Sequence, residues 1–247
     1  LDGEVVLYVA KGVQYSFSEQ YFMGIWANMI NQTMFLLTNA RLLMIRTDSK
    51  GRPKETFWMV AYDQIEHFKG SWTGTVKVML RDGLKLTFTG FAKQDRKSMP
   101  QIFEEPLETY RQAGASFSVT QSRENLCTYC FERVPKDHYT CEACQAEYWQ
   151  PSQVAIRSLV FPSWGDFAMK HTSLAVIELI GYAIMWFVII TVWIAALSGE
   201  DNMGVGGAAI FSIILLALSH LPDAALTYYV AKKGLHPKSP PPDGVRS

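Results

Sequence analysis

The sequence predicts an α+β chain that ends in membrane-spanning helices, and three observations carry that prediction. Residues 3–90 read as short apolar runs between turn signals, and 85–88 alternates polar and apolar as a half-buried strand does. All four cysteines fall in one short segment, as two C-x-x-C pairs. Two long apolar runs near the end, 174–197 and 205–230, are joined by a short acidic loop.

The strands come first. Val5 to Val9 form an apolar opening run. Thr38-Asn39-Ala40 is a tight turn between runs 33–37 and 41–46, and 48–53 is a second turn rich in Gly, Pro and Ser. Strands over 56–62 and 64–68 follow. Runs 75–80 and 84–88 flank Arg81-Asp82-Gly83, where Asp-Gly is a strong hairpin signal. Ser98 reads as a helix N-cap with Pro100 in the first turn. A helix from there to about Gln112 turns Ile102, Phe103, Leu107 and Tyr110 toward the sheet, with a bend at Pro106.

This order of elements, with "FLLTNARLLMI" at 35–45, "YDQIEHF" at 62–68 and the "VKVML-RDG-LKLTF" hairpin, resembles a bacterial pleckstrin-homology-like domain of the kind also seen in GRAM domains. The resemblance covers about 1–113. It implies a small barrel-like sandwich closed by a helix, and a binding platform rather than an enzyme.

Two stretches depart from a lipid-reading version of that domain. Residues 15–30 carry Tyr15, Phe17, Tyr21, Phe22, Met23, Ile25 and Trp26. They suit an amphipathic helix on a membrane or partner, with Tyr21, Phe22 and Trp26 as partner-binding candidates, or a cap on the domain's own core. Lys50, Arg52 and Lys54 share one turn. They are candidates for anionic lipid headgroups, at about 1 kcal/mol each near a membrane surface, or simply a solvated turn tip.

After a linker, 114–123, the segment 124–150 holds Cys127, Cys130, Cys141 and Cys144. Each pair can reach one metal from a tight knuckle, and two knuckles complete a tetrahedral thiolate site. The segment resembles a zinc ribbon. A rubredoxin-like iron site, a redox-active pair and two disulfides are the alternatives, the last requiring an oxidising compartment. With four sulfurs on the metal no position is left for water, so a zinc ion there is structural.

Residues 151–171 read as an interfacial or re-entrant helix broken at Pro162 and Gly165. The hairpin, 172–232, follows, and 233–247 is expected to be a disordered tail. Arg157, Lys170, Lys232, Lys233 and Lys238 flank the two spans, whereas the loop between them carries only Glu200 and Asp201. That asymmetry predicts a multi-pass protein of the cytoplasmic membrane with both termini inside. The ionisable residues within the spans, Glu178, His220 and Asp223, come to similar depth. They read as a polar clasp, with proton relay as the sharper alternative. Ribbon, proline-broken helix and hairpin in this order resemble a bacterial membrane-protein family of uncharacterised role.

The 23 basic and 23 acidic side chains balance, so net charge points to no nucleic acid. No Gly-rich phosphate loop, H-E-x-x-H or G-x-S-x-G is present, and no small-molecule substrate is indicated. The expected function is a non-catalytic, membrane-anchored scaffold or accessory subunit, with membrane lipids and other membrane-protein subunits as partners and structural zinc as cofactor. A membrane-surface lipid or signal sensor is the alternative. An accessory subunit of a redox or proton-coupled energy-converting complex is a further one.

Overall fold

Strand alternation translates directly into burial. In β2 (Gln32–Thr38) and β3 (Arg41–Thr47) every second side chain is buried, with Phe35, Leu37, Leu42 and Met44 on the inner face. The computed structural model describes residues 3–15, 19–21, 24–71, 75–112, 118–199 and 204–241. It separates into two units, Leu1–Glu147 with Ser239–Ser247, and Tyr148–Lys238.

The first unit is built on one antiparallel sheet. Its other strands are β1 (Val6–Tyr15), β4 (Pro53–Ala61), β5 (Ile65–Gly70), β6 (Val76–Leu80), β7 (Lys85–Thr89), β8 (Glu124–Leu126) and β9 (Arg133–Val134). Among the described residues the ladder runs β5-β6-β7-β1-β2-β3-β4-β8-β9. One buried cluster takes Trp58 and Val60 from β4 and also Ile65, Val76 and Val78 from β5 and β6. Strands far apart in the ladder therefore share a core, which requires the sheet to curl around it. Phe35 and Phe88 meet edge to face across that core, 4.5 Å between ring centroids.

The helix α2 (Lys93–Gln112) closes the core, and its start corrects the sequence reading. It begins before Ser98: the Arg96 N–H already donates to the Ala92 carbonyl, and Tyr8 Oη donates to Asp95 Oδ1 at 2.7 Å. A tertiary bond thus outweighs the local capping signal at Ser98. Pro100 and Pro106 lie inside the helix, where each leaves one carbonyl of the preceding turn without its usual donor. Met99, Phe103 and Leu107 face the core, and Phe103 stacks on Phe68 at 4.4 Å. Ile102 is only half-buried, so Met99 takes the place expected for it.

Residues 15–30 do not form one helix. β1 continues through Tyr15, and a short α1 (Ile25–Ile30) buries Ala27 and Ile30. Tyr21 is 74% exposed and Trp26 half-buried. Phe17, Phe22 and Met23 lie outside the described residues. Beneath α1 runs a buried polar chain. Asn31 Nδ2 donates to Glu19 Oε2 at 2.6 Å, and Arg46 Nη1 donates to Asn31 Oδ1 at 2.7 Å. The Arg46 guanidinium lies 5.0 Å from the Trp58 ring centroid, and that of Arg123 lies 5.3 Å from it. Burial lowers the Arg46 pKa to about 10; the Glu19 charge opposes this shift and the Arg123 charge adds to it.

The second unit holds α3 (Pro151–Val160), α4 (Trp164–Ala168), α5 (Thr172–Ser198) and α6 (Gly204–Ala231). Pro151 occupies the first position of α3, where its missing N–H removes no helical bond. Gly199, with φ 73°, ends α5 in the left-handed conformation that side chains disfavour. Residues 233–241 are not part of the disordered tail expected from residue 233, and 242–247 lie outside the described residues. Leu235 and His236 are buried, Pro237–Ser239 forms the strand β10, and Trp149 N–H donates to the His236 carbonyl at 2.8 Å. An apolar Leu235 and a backbone partner at Trp149 hold this stretch despite its prolines.

Removing Glu19 strands a buried guanidinium beside a second arginine. Glu19→Ala should therefore destabilise the protein by about 3 kcal/mol, and Glu19→Gln by less. Chemical denaturation of the two variants against the parent measures this; unchanged midpoints would remove Glu19 as the counterion that holds Arg46.

Candidate functional site

The four cysteines converge through two copies of one backbone turn. In the first, Cys127 N–H donates to the Glu132 carbonyl at 2.8 Å and Phe131 N–H to the Cys127 carbonyl at 3.1 Å. In the second, Cys141 N–H donates to the Ala146 carbonyl at 2.9 Å and Gln145 N–H to the Cys141 carbonyl at 2.8 Å. The residues that follow the pairs, Phe131 and Gln145, both have φ 60°. Each turn thus folds its two sulfurs to the same side. Cys127 Sγ lies 3.5 Å from Cys144 Sγ, Cys130 Sγ lies 3.6 Å from Cys141 Sγ, and all four sulfurs fall within 4.8 Å of one another.

These distances test the alternatives. A disulfide needs about 2.05 Å between sulfurs, and all four thiols are free. Four thiolates on a tetrahedral zinc with bonds of about 2.3 Å sit about 3.8 Å apart, close to the spacing observed. Cys127, Cys141 and Cys144 are buried and Cys130 half-buried, so the cluster is closed. Burial first, and then the neighbouring thiols, push the Cys130 and Cys144 thiols upward. A cation among the sulfurs reverses that preference by favouring thiolates. The donor set fits a metal ion such as zinc.

The turns do not form a separate bead. β8 pairs with β4, Leu126 opposite Phe57 and Asn125 opposite Trp58. Thr128 Oγ1 donates to the Glu55 carbonyl at 2.6 Å, and the Phe131 ring meets Phe57 edge-on at 5.6 Å. Met59, Ala61 and Leu126 form a small second core on that side of the sheet.

Helices α5 and α6, of 27 and 28 residues, are long and apolar enough to cross a membrane. At about 1.5 Å per residue each spans ~40 Å, against a hydrocarbon core of about 30 Å. Only 6% and 11% of their apolar windows are buried, whereas the core helix of a soluble protein is mostly buried. The helices meet through small residues. Ala208, Ala196 and Ser212 are buried, and Trp193 Nε1 donates to Ser212 Oγ at 2.9 Å. Gly204 and Gly206 have open space where a Cβ would stand, and Ala208, fully buried, supplies the close approach.

At the other end of these helices lies a buried polar network. Ser158 Oγ and Thr227 Oγ1 are 3.0 Å apart. Thr227 Oγ1 donates to Asp166 Oδ2 at 3.1 Å, and His171 Nδ1 lies 3.3 Å from Asp166 Oδ1. The Ser163 N–H donates to Asp223 Oδ2 at 3.0 Å. Of the three residues expected to cluster, Glu178 and Asp223 come together, joined by Asp166 rather than His220. The His220 Nδ1–H donates to the Leu159 carbonyl at 2.7 Å, and its ring meets Tyr182 edge-on. Asp166 was missed because it lies outside the apolar runs, in the sequence "WGDF". The break between α3 and α4 falls at Phe161–Ser163, not at Gly165. Gly165 serves close packing: a Cβ there would stand 2.5 Å from both Thr227 Cγ2 and the Val154 carbonyl oxygen.

The basic turn at 48–53 is tied down in part. Arg52 Nε bonds Asp48 Oδ2 at 2.7 Å, and Lys54 is half-buried, its pKa lowered by burial and then by the Arg46 charge. A second basic surface, not singled out from the sequence, lies on the outer face of β5 to β7. There Lys69 stands directly opposite Lys77, and His67, Lys77 and Lys85 line a shallow groove of about 340 Å³. The three strands were legible, but only the register brings these lysines together.

No family model matches this chain, and no curated protein matches it. Among solved structures, the C-terminal domain of an unknown protein from Leishmania infantum is similar at 14% identity. The match covers 43% of this chain and 87% of that one, with a TM-score of 0.33.

Two outcomes follow from this geometry. Cys141→Ser should release the bound metal, read by elemental analysis, and expose residues 124–149 to protease; retained metal would exclude a four-sulfur site. Gly165→Ala should destabilise the second unit by about 2 kcal/mol or more through overpacking against Thr227 and the α3 backbone. Thermal unfolding in mild detergent measures it, and an unaffected variant would show that α4 can move away without loss.

Proposed function

We propose that the protein is a non-catalytic, membrane-anchored scaffold subunit, with a pleckstrin-homology-like sheet unit, a structural zinc ion on the four cysteines and a two-span hairpin whose termini face the cytoplasm. One observation carries the reading: α5 and α6 expose apolar side chains along their length, among them Ile184, Phe187, Ile194, Ile213 and Leu218, while their only extensive polar contacts are turned inward. Lipid or other membrane subunits are the natural cover for such a surface. The succession of seven strands and a closing helix, with β7 beside β1, supports the domain reading. The closed sulfur cluster supports a structural metal, since no ligand position faces solvent for chemistry. Tyr21 and Trp26 offer exposed and half-exposed aromatic surface for a protein partner.

The Lys69–Lys77 pair favours a second reading, a sensor of anionic lipid. Like charges directly opposite on neighbouring strands repel, and an anion between them removes the repulsion.

Reporter fusions at Asp201 and after Ser247 should report opposite compartments; agreement between them would remove the hairpin. Membrane subunits that copurify in mild detergent should be lost on Tyr21→Ala with Trp26→Ala and kept when Lys69, Lys77 and Lys85 become Ala. The reverse pattern, together with salt-sensitive binding of fragment 1–150 to anionic vesicles that disappears with the three lysines, would make the sensor the better reading.

A further inference from the structure

Asp166, Glu178 and Asp223 bring one carboxylate oxygen each to within 4.8 Å of one another. A point between three atoms so placed lies no farther than about 2.8 Å from any of them, near the 2.3–2.6 Å of calcium–oxygen bonds. The three residues come from three segments: α4, the second turn of α5 and the last third of α6. Asp166 and Asp223 are 2% and 9% exposed. Ionised, the three carboxylates would carry three negative charges, which such surroundings accept only with compensation; otherwise the groups keep their protons. His171 is bonded to the group through Asp166, its Nδ1 3.3 Å from Oδ1. Arg157, the nearest arginine in sequence, has its guanidinium 4.4 Å and 5.2 Å from the ring centroids of Trp149 and Trp164. Even with His171 charged, two negative charges remain.

A second observation points inward from outside the acidic group. Ser163 is fully buried, and its hydroxyl has no hydrogen-bond partner. The Ser163 N–H donates to Asp223 Oδ2 at 3.0 Å, which sets this residue against the acidic group. Glu178 Oε2 and Asp223 Oδ1 are likewise buried and without partners. Three unsatisfied oxygens thus accompany Asp166, whose own oxygens are oriented by Thr227 and His171. Buried polar atoms in native proteins are rarely left so, and each calls for a partner such as a water or an ion.

We propose that Asp166, Glu178 and Asp223, with the Ser163 hydroxyl, bind one divalent cation of the oxygen-seeking class: magnesium, manganese or calcium. The donors are all hard oxygens, which sets the site apart from the sulfur cluster and its preference for zinc. The charge of two matches the residue left after His171. His171 and Thr227 act as outer partners that fix the Asp166 carboxylate. Bound there, the cation ties α4 to both long helices. The proposal does not depend on whether those helices cross a membrane.

Manganese is the probe. The full chain in mild detergent, with its zinc retained, is treated with chelator selective for hard cations and titrated with Mn²⁺, bound ion being read by electron paramagnetic resonance. One Mn²⁺ per chain is expected, displaced by excess Mg²⁺ or Ca²⁺. Glu178→Gln and Asp223→Asn should each weaken binding by about tenfold or more, and Ser163→Ala by less, with zinc content and helix content unchanged. Ser163→Ala alters no charge, so it reports on the site even where a carboxylate variant fails to fold. Absence of Mn²⁺ binding in the folded parent, or equal binding in parent and folded variants, would overturn the proposal. Infrared bands of protonated carboxyls that vanish in Asp223→Asn and ignore Mn²⁺ would overturn it in favour of shared protons.

Discussion

Ser158, Asp166 and Thr227 are shut away from water beside two helices whose outer surface is almost wholly apolar. Each must find its partner within the chain, because an unpaired hydroxyl or carboxylate there is penalised far more than a bond is rewarded. That constraint organises the second unit. It draws α4 against α6 closely enough that only glycine fits at position 165. It also explains why α3 ends where it does: the chain must turn at Pro162 so that the Ser163 N–H can reach Asp223. His171, at the start of α5, completes the arrangement through Asp166, with both its backbone N–H and its ring on that residue.

The sheet unit answers a different need. Two short cysteine turns contain too little apolar surface to hold a fold by themselves. Here they are grafted onto the edge of a sheet that has a large core of its own, through β8, Thr128 and Phe131. A metal in that cluster would therefore stiffen an existing edge as well as close two knuckles, and it covers what would otherwise be an open strand at β4.

What the sequence made legible was what depends on near neighbours. The turn at Asn39 and the Asp82-Gly83 hairpin were readable because turn geometry is set by the residues in it. The cysteine quartet was readable because ligand spacing is local, and Glu178 and Asp223 stood out as charges in apolar runs. What escaped depends on distant contacts. The start of α2 is decided by Tyr8, 87 residues before its partner Asp95. Asp166 belongs to the acidic group only because α6 returns to it, and His220, at similar depth, is claimed by a carbonyl of α3. The lysines of β5 to β7 form a surface only once the register is known.

The bonds that join α4 to α6 link residues about sixty positions apart: Ser163 to Asp223 and Asp166 to Thr227. A nascent chain emerges in order, so α3, α4 and α5 are made while every one of those partners is still inside the ribosome. During that interval Asp166 holds only His171 at the start of α5, the Ser158 hydroxyl holds only the Gly165 N–H, and neither has Thr227. The bonds from α4 to α6 can form only when the end of α6 appears. A chain cut short before residue 223 would therefore contain its first long helix and lack both partners that join α4 to α6.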